Sequence, residues 1–376
     1  QWAKVSITQQ DSRGGAITAS GGLRMKVDSD LPTASVTSVA NGAAVGAGQV
    51  IGGVANDATA GVALVEVSIN NGAWQLASGV NAWSFSLAGQ SGTVSVRVRA
   101  TDQVGNVGNP SAAVSLVVDS APPTVAINAI PATLKPTQSS GRWLVPLAGT
   151  ATDAGSGLPA GAVLVQLTQQ SGQGVAQTQQ AATLSGNNWS LSYALDASLL
   201  DPTGSYTVTV TAVDTVGNRA TPATSIVRLD ATGPLATLSV TDATRTVITQ
   251  TLTIGGVVTD TNSLVGLDKL EIAFTPVEQV AALPPGLTSA QAEAQLNRTW
   301  TPVTLAQRGA GVATAAWSFP MPTGLENIYQ IDVRGTDLLG NFNITANLWR
   351  GMIDTTDPRV VMTAQPSGAS YFDNAR

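Results

Sequence analysis

Cysteine and histidine are both missing from the 376 residues, and only 11% of the chain is charged. Soluble domains usually carry about a quarter charged residues, so Thr, Ser, Gln, Asn and Gly must make most of this surface. Without His there is no ordinary general base and no imidazole ligand for zinc or copper. Without Cys there are no thiol nucleophiles, thiolate metal sites or disulfides. Glutamate is confined to positions 66, 271, 278, 293 and 326, and lysine to 4, 26, 135 and 269. No serine sits in a nucleophile elbow, and a glycosidase pair of facing carboxylates is not suggested by the scattered Glu positions. The expectation is that the chain is not an enzyme.

Positive charge is also scarce. With a net charge of −6, the chain lacks the clustered Lys and Arg that nucleic acid or an anionic membrane surface would need. No apolar run approaches the roughly 20 residues of a membrane-spanning helix. The longest, such as AAVSLVV at 112–118, read as strands, and no insertion of this segment into a membrane is expected.

What is present is a repeat. An apolar residue and an Asp followed by a short Pro-containing linker occur at Asp28, Asp119, Asp230 and Asp354, with spacings of 91, 111 and 124 residues. Ahead of three of these lies a T/V-D-x-x-G-N block, with its Asp at 102, 214 and 337. Each full repeat opens on a strand ending in Asp57, Asp153 or Asp260, and carries a tryptophan at matching points, Trp83, Trp189 and Trp317. Alternating runs such as TVSVRVRATD (93–102) and SYTVTVTAVD (205–214) predict half-buried antiparallel strands. The reading is all-β: tandem sandwiches rather than barrels, with the matched tryptophans in the cores. The divisions are 1–28 (the end of one domain), 29–119, 120–230, 231–354 and 355–376 (the start of another), as in an excerpt of a longer array. Repeat two carries a Gln-rich hairpin at 168–180, and repeat three an insertion at 275–300. Within that insertion Thr288 and Gln291 suggest a capping box, and a helix over 289–297 is the only one expected.

Taken together, VDSAPPTV, GTATD, the tryptophan and YTVTVTAVDTVGNRA resemble bacterial Ig-like repeats, with a fibronectin-type-III flavour and cadherin-like junctions. The resemblance implies an extracellular or cell-surface location and a structural array that assembles into a filament, sheath or surface layer. Two alternatives stay open: an adhesin-type module for a host or polysaccharide ligand, or an accessory region of a secreted polysaccharide-active enzyme. Partners on these readings are other copies of the chain, other cell-surface components or polysaccharide. Trp300, Leu287 and Leu296 in the insertion are the candidate contact residues.

In such a sandwich the B–C and F–G loops emerge at the pole where the linker enters. That would gather Asp28, Asp30, Asp57 and Asp102 at one junction, then Asp119, Asp153 and Asp214, then Asp230, Asp260 and Asp337. Clustered carboxylates suit a hard cation such as Ca²⁺, which takes oxygen ligands and would stiffen each joint. Ordinary turn chemistry is the competing account: Asp bonds turn amides, Gly supplies a positive φ, Asn tolerates the left-handed region, and the junction Asp caps the linker. Arg97 and Arg99 are read as surface decoration.

Overall fold

The computed structural model describes residues 27–170, 176–249, 251–260, 265–283, 294–296 and 298–357, and the backbone of four short strands ahead of them. Those strands form nested antiparallel pairs, Trp2–Val5 with Leu23–Lys26 and Thr8–Gln10 with Ala16–Thr18. Three hydrophobic cores follow along the chain, spanning Val45–Val118, Val145–Leu229 and Ala236–Ile353.

In the first, strands Ala82–Ser86, Val50–Asn56 and Thr33–Val36 make one sheet. The second sheet runs Ala44–Gly46, Val114–Asp119, Gly92–Asp102, Val62–Ile69 and Gln75–Leu76, in that order. The long strand Gly92–Asp102 shows why it folds so: Val94, Val96, Val98 and Ala100 alternate with Ser95, Arg97 and Arg99, and the first four are at most 1% exposed. Its neighbour Val114–Asp119 pairs in parallel with Ala44–Gly46, so the first strand of the domain divides itself between both sheets. The middle repeat repeats this plan, with the parallel contact reduced to a single bridge, Leu134 to Leu229.

One device recurs in all three sandwiches. Trp83, Trp189 and Trp317 lie directly across from Gly53, Gly149 and Gly256 on the neighbouring strand. A side chain on any of these glycines would overlap the carbonyl oxygen of Ser35, Ala126 or Thr237 on the domain's first strand. The bare backbone therefore lets the indole lie across it and reach that first strand. Trp189 Nε1 donates to Ala126 O at 3.0 Å and Trp317 Nε1 to Thr237 O at 3.2 Å. The three rings are 3%, 1% and 3% exposed.

Repeat three departs from two separate sheets. Its strands form one path of eight, because Thr301–Leu305 pairs with Leu267–Pro276 through its first half and with Thr314–Pro320 through its second. Helix is sparse, as expected. Among the described residues short helices occur at Val240–Ala243, outside the insertion, and at Val277–Ala281, inside it but ahead of the expected 289–297. The first is capped by Ser239, whose side chain accepts from the Asp242 amide, an S-x-x-D signal present in the sequence. Of the expected helix only 294–296 is described and is helical; Leu287, Thr288 and Gln291 lie outside the described residues. The Gln-rich segment pairs Thr168 with Ala176 in antiparallel fashion, as a hairpin should.

Candidate metal centres at the repeat junctions

The F–G turn positions the first carboxylate of each cluster. In the T-D-x-x-G-N block, Gly105, Gly217 and Gly340 have φ of 96°, 98° and 75°, which closes the loop tightly under the Asp. Asp102 Oδ1 then accepts from the amides of Val104 and Asn106 at 2.9 and 2.8 Å. Asp214 does the same with Val216 and Asn218 at 2.9 and 2.8 Å. Asp337 accepts from the Asn341 amide at 2.7 Å.

The B–C Asp is held by a nest of amides. Asp57 Oδ1 accepts from Thr59, Ala60 and Gly61 at 3.0, 2.8 and 2.8 Å. Asp153 Oδ2 accepts from Gly155 and Gly157 at 3.2 and 2.6 Å. The junction Asp caps its own linker: Asp28 Oδ1 accepts from the Asp30 amide, Asp119 Oδ1 from Ala121 and Asp230 Oδ1 from Thr232. Gly155 leaves the space that Asp119 fills, since a side chain there would run into that carboxylate.

These anchors bring three triads together: Asp28, Asp57 and Asp102; Asp119, Asp153 and Asp214; Asp230, Asp260 and Asp337. In each, one ligand atom from every carboxylate lies within 4.8 Å of the others. Asp30 is not part of its triad. It is exposed, and its Oδ2 accepts from Thr59 Oγ1 at 3.0 Å, because its side chain follows the linker outward.

Hydrogen bonds therefore satisfy both oxygens of Asp102, Asp119, Asp214 and Asp337, but only one oxygen of several others. Asp28 Oδ2, Asp57 Oδ2, Asp153 Oδ1 and Asp230 Oδ2 are buried and accept no hydrogen bond. Among the described residues no Lys or Arg pairs with Asp28, Asp57, Asp102, Asp119, Asp153, Asp214, Asp230 or Asp337. Buried anionic oxygens without donors or countercharge are costly, and an oxygen-seeking cation satisfies both needs. The donor set fits such an ion. The electrostatics differ between triads. Burial raises the Asp102 carboxyl, but the Asn106 and Val104 donors outweigh it and hold the group below the usual range. At Asp230 burial wins, opposed by the Thr232 amide and reinforced by Asp260, Asp337 and Asp201, and the carboxyl is pushed up to about 6.

Turn chemistry alone would make the asparagine of the block a left-handed turn former. The positive φ belongs to the preceding glycine instead, and the Asn side chain joins the F–G loop to the linker. Asn218 Nδ2 donates to Asp214 Oδ2 at 2.7 Å and faces the carbonyls of Asp119 and Ala121 at 3.5 and 3.4 Å. Asn106 makes the same set with Asp102, Asp28 and Asp30, and Asn341 with Asp337 and Asp230. Asn218→Ala is expected to cost about 1.5–3 kcal/mol, the range for a hydrogen bond to a charged group. Urea unfolding of the chain checks this, and an unchanged midpoint would mean that the tie contributes nothing.

Of the expected contact residues, Leu296 and Trp300 are described. Leu296 is buried at 8% exposure rather than offered at a surface. Trp300 is half-buried, with the Arg334 and Arg298 guanidinium carbons 4.7 and 5.9 Å from its ring centre. Arg99 is not decoration: it pairs with Glu66 at 2.8 Å and stacks over Trp74 at 4.4 Å. Arg334 repeats that pattern with Glu271 and Trp300. Among the described residues no helix is long and apolar enough to cross a membrane.

No family model matches the chain, and no curated protein matches it in sequence. Solved structures similar to it include the fibronectin(III)-like modules of Clostridium thermocellum CbhA, at 15% identity over 53% of this chain and 94% of that one, TM-score 0.30. A structure from a 1.5-MDa bacterial ice-binding adhesin is 16% identical over 86% of this chain and 98% of that one, TM-score 0.34. A tetra-tandem repeat from the extending region of a large adhesion protein is 21% identical over 83% and 74%, TM-score 0.27.

Proposed function

We propose that this chain is a non-catalytic, load-bearing stretch of a large bacterial cell-surface protein, whose sandwich repeats are locked end to end by calcium at their junctions. The observation that carries the reading is the threefold recurrence of an Asp triad where linker, B–C loop and F–G loop meet, with buried oxygens that accept nothing. Asp28, Asp57 and Asp102 would hold the first ion, Asp119, Asp153 and Asp214 the second, and Asp230, Asp260 and Asp337 the third. The ion supplies positive charge and shared oxygen coordination. The protein supplies the rest: amide nests fix each carboxylate, and Asn106, Asn218 and Asn341 tie the loop to the entering linker. A linker so fastened at its first residues, and followed by Pro32, Pro122 or Pro234, has little freedom to bend.

Calcium should therefore raise the melting temperature and EDTA lower it. A ligand at a hundredfold excess over its Kd stabilises by about 2.7 kcal/mol per site. Small-angle scattering should show a longer, straighter particle with calcium than with EDTA. A melting curve and a scattering profile indifferent to both would overturn the proposal.

A further inference from the structure

Building on the calcium reading, we infer that the three junction sites form a gradient, with the site of Asp230, Asp260 and Asp337 binding its cation most tightly and releasing it last. The number of buried carboxylates rises along the chain. In the first triad only Asp102 is buried as a whole residue; Asp28 and Asp57 are part-exposed, although the Oδ2 of each is shielded. In the second, Asp119 and Asp214 are buried and Asp153 is not. In the third, Asp230, Asp260 and Asp337 are 0%, 3% and 1% exposed. Asp230 supplies a second, separate observation: Asp28, Asp57 and Asp153 also carry a shielded oxygen with no partner, but of these four Asp230 alone is wholly buried.

A part-exposed carboxylate keeps water against some of its surface, and that water screens the mutual repulsion of its triad when the ion is gone. In the third site folding has already removed that water, so the repulsion is poorly screened and a cation relieves more of it. A cation entering there gives up more of its own hydration. The three oxygen donors, close-set and already dehydrated, outweigh that loss.

Preorganisation acts in the same direction. Asn341 Nδ2 reaches the Asp230 carbonyl at 3.1 Å, where Asn106 and Asn218 stand 3.3 to 3.5 Å from theirs. Lys135, in the preceding repeat, also donates to the Gly340 carbonyl at 2.9 Å, fastening the F–G turn that carries Asp337. Less ordering is left for the ion to impose. As calcium falls, the joint before repeat one should loosen while the joint between repeats two and three stays locked.

The test is a calorimetric Ca²⁺ titration of the full chain, with Tb³⁺ luminescence as a second readout. The expected result is one tight site separated from the others by on the order of tenfold or more in Kd. Asp230→Asn should abolish the tight site, and Asp57→Asn should leave it. Asp337→Asn repeats the first arm if Asp230→Asn does not fold, with circular dichroism as the check on each variant. Equal affinities, or a tight site that survives Asp230→Asn or is lost in Asp57→Asn, would overturn the gradient alone. Absence of binding to the unaltered chain would overturn the calcium reading with it.

Discussion

Arg298→Met is expected to destabilise the third repeat by about 3–5 kcal/mol while leaving the first two unchanged, because it strands a carboxylate in the interior. Asp332 lies on the face of its strand opposite Ile331 and Val333, which would ordinarily be the wet face. It is nevertheless fully buried, and Arg298 meets it at 3.1 Å with only 6% of its own side chain exposed. Asp332 Oδ1 accepts from Gln330 Nε2 at 2.6 Å and from the Asn347 amide at 2.7 Å. Its Oδ2 accepts from Thr275 Oγ1 at 3.2 Å, and Thr275 Oγ1 in turn accepts from Arg298 Nε at 3.3 Å. Removal of the guanidinium leaves the donors in place but takes away the countercharge. The double variant Arg298→Met, Asp332→Asn should recover part of the loss, since a neutral amide removes the stranded charge yet keeps an acceptor for Gln330, Asn347 and Thr275. Urea unfolding followed by tryptophan fluorescence reads both. A single variant as stable as the parent would show that the pair contributes nothing.

That pair has a structural purpose. Thr275 and Arg298 flank the insertion of repeat three, and both converge on Asp332. The insertion is thus clasped at its two ends to the outer face of the sheet. Leu296 is drawn into a buried position, and Trp300 is drawn against Arg334.

The difference between what could and could not be read in the sequence follows from repetition. Asp57, Asp153 and Asp260 are recognisable because each ends the same strand before the same loop, and a fold used three times prints its turn chemistry three times. The matched tryptophans and their glycines belong to the same class: a cross-strand pair needs a small partner opposite a large ring, and that demand recurs in every sandwich. Arg298 and Asp332 occur once, 34 positions apart, and nothing local marks a charge that a later segment will cover. Asn218 was visible but its role was not. Its bonds to the linker span 97 and 99 residues, so only the closed junction shows that the side chain spans two segments. The eight-strand path of repeat three was hidden for a related reason. Thr301–Leu305 looks like any short strand until its two halves are seen to serve different partners.

Trp189→Ala should cost about 3–5 kcal/mol, the range for deleting a buried aromatic. Its ring is 1% exposed within the core of Val145, Leu147, Tyr193 and Tyr206. The loss should reach beyond packing, because Trp189 Nε1 holds the Ala126 carbonyl of the strand Thr124–Ile127. That strand continues the linker that begins at Asp119, so freeing it should weaken the core and also the calcium stabilisation that we propose for the second junction. Trp83 provides the contrast. Its Nε1 is buried with no partner, so Trp83→Phe sheds an unsatisfied donor, whereas Trp189→Phe breaks a bond worth about 1 kcal/mol. Denaturant unfolding with and without calcium separates the two effects. If the Trp189→Ala variant kept the full calcium increment of the parent, the core would not be coupled to the junction. If it lost both, Trp189 would be not only the filler of its sandwich but also the strut that holds the strand Thr124–Ile127 in line with the proposed ion site.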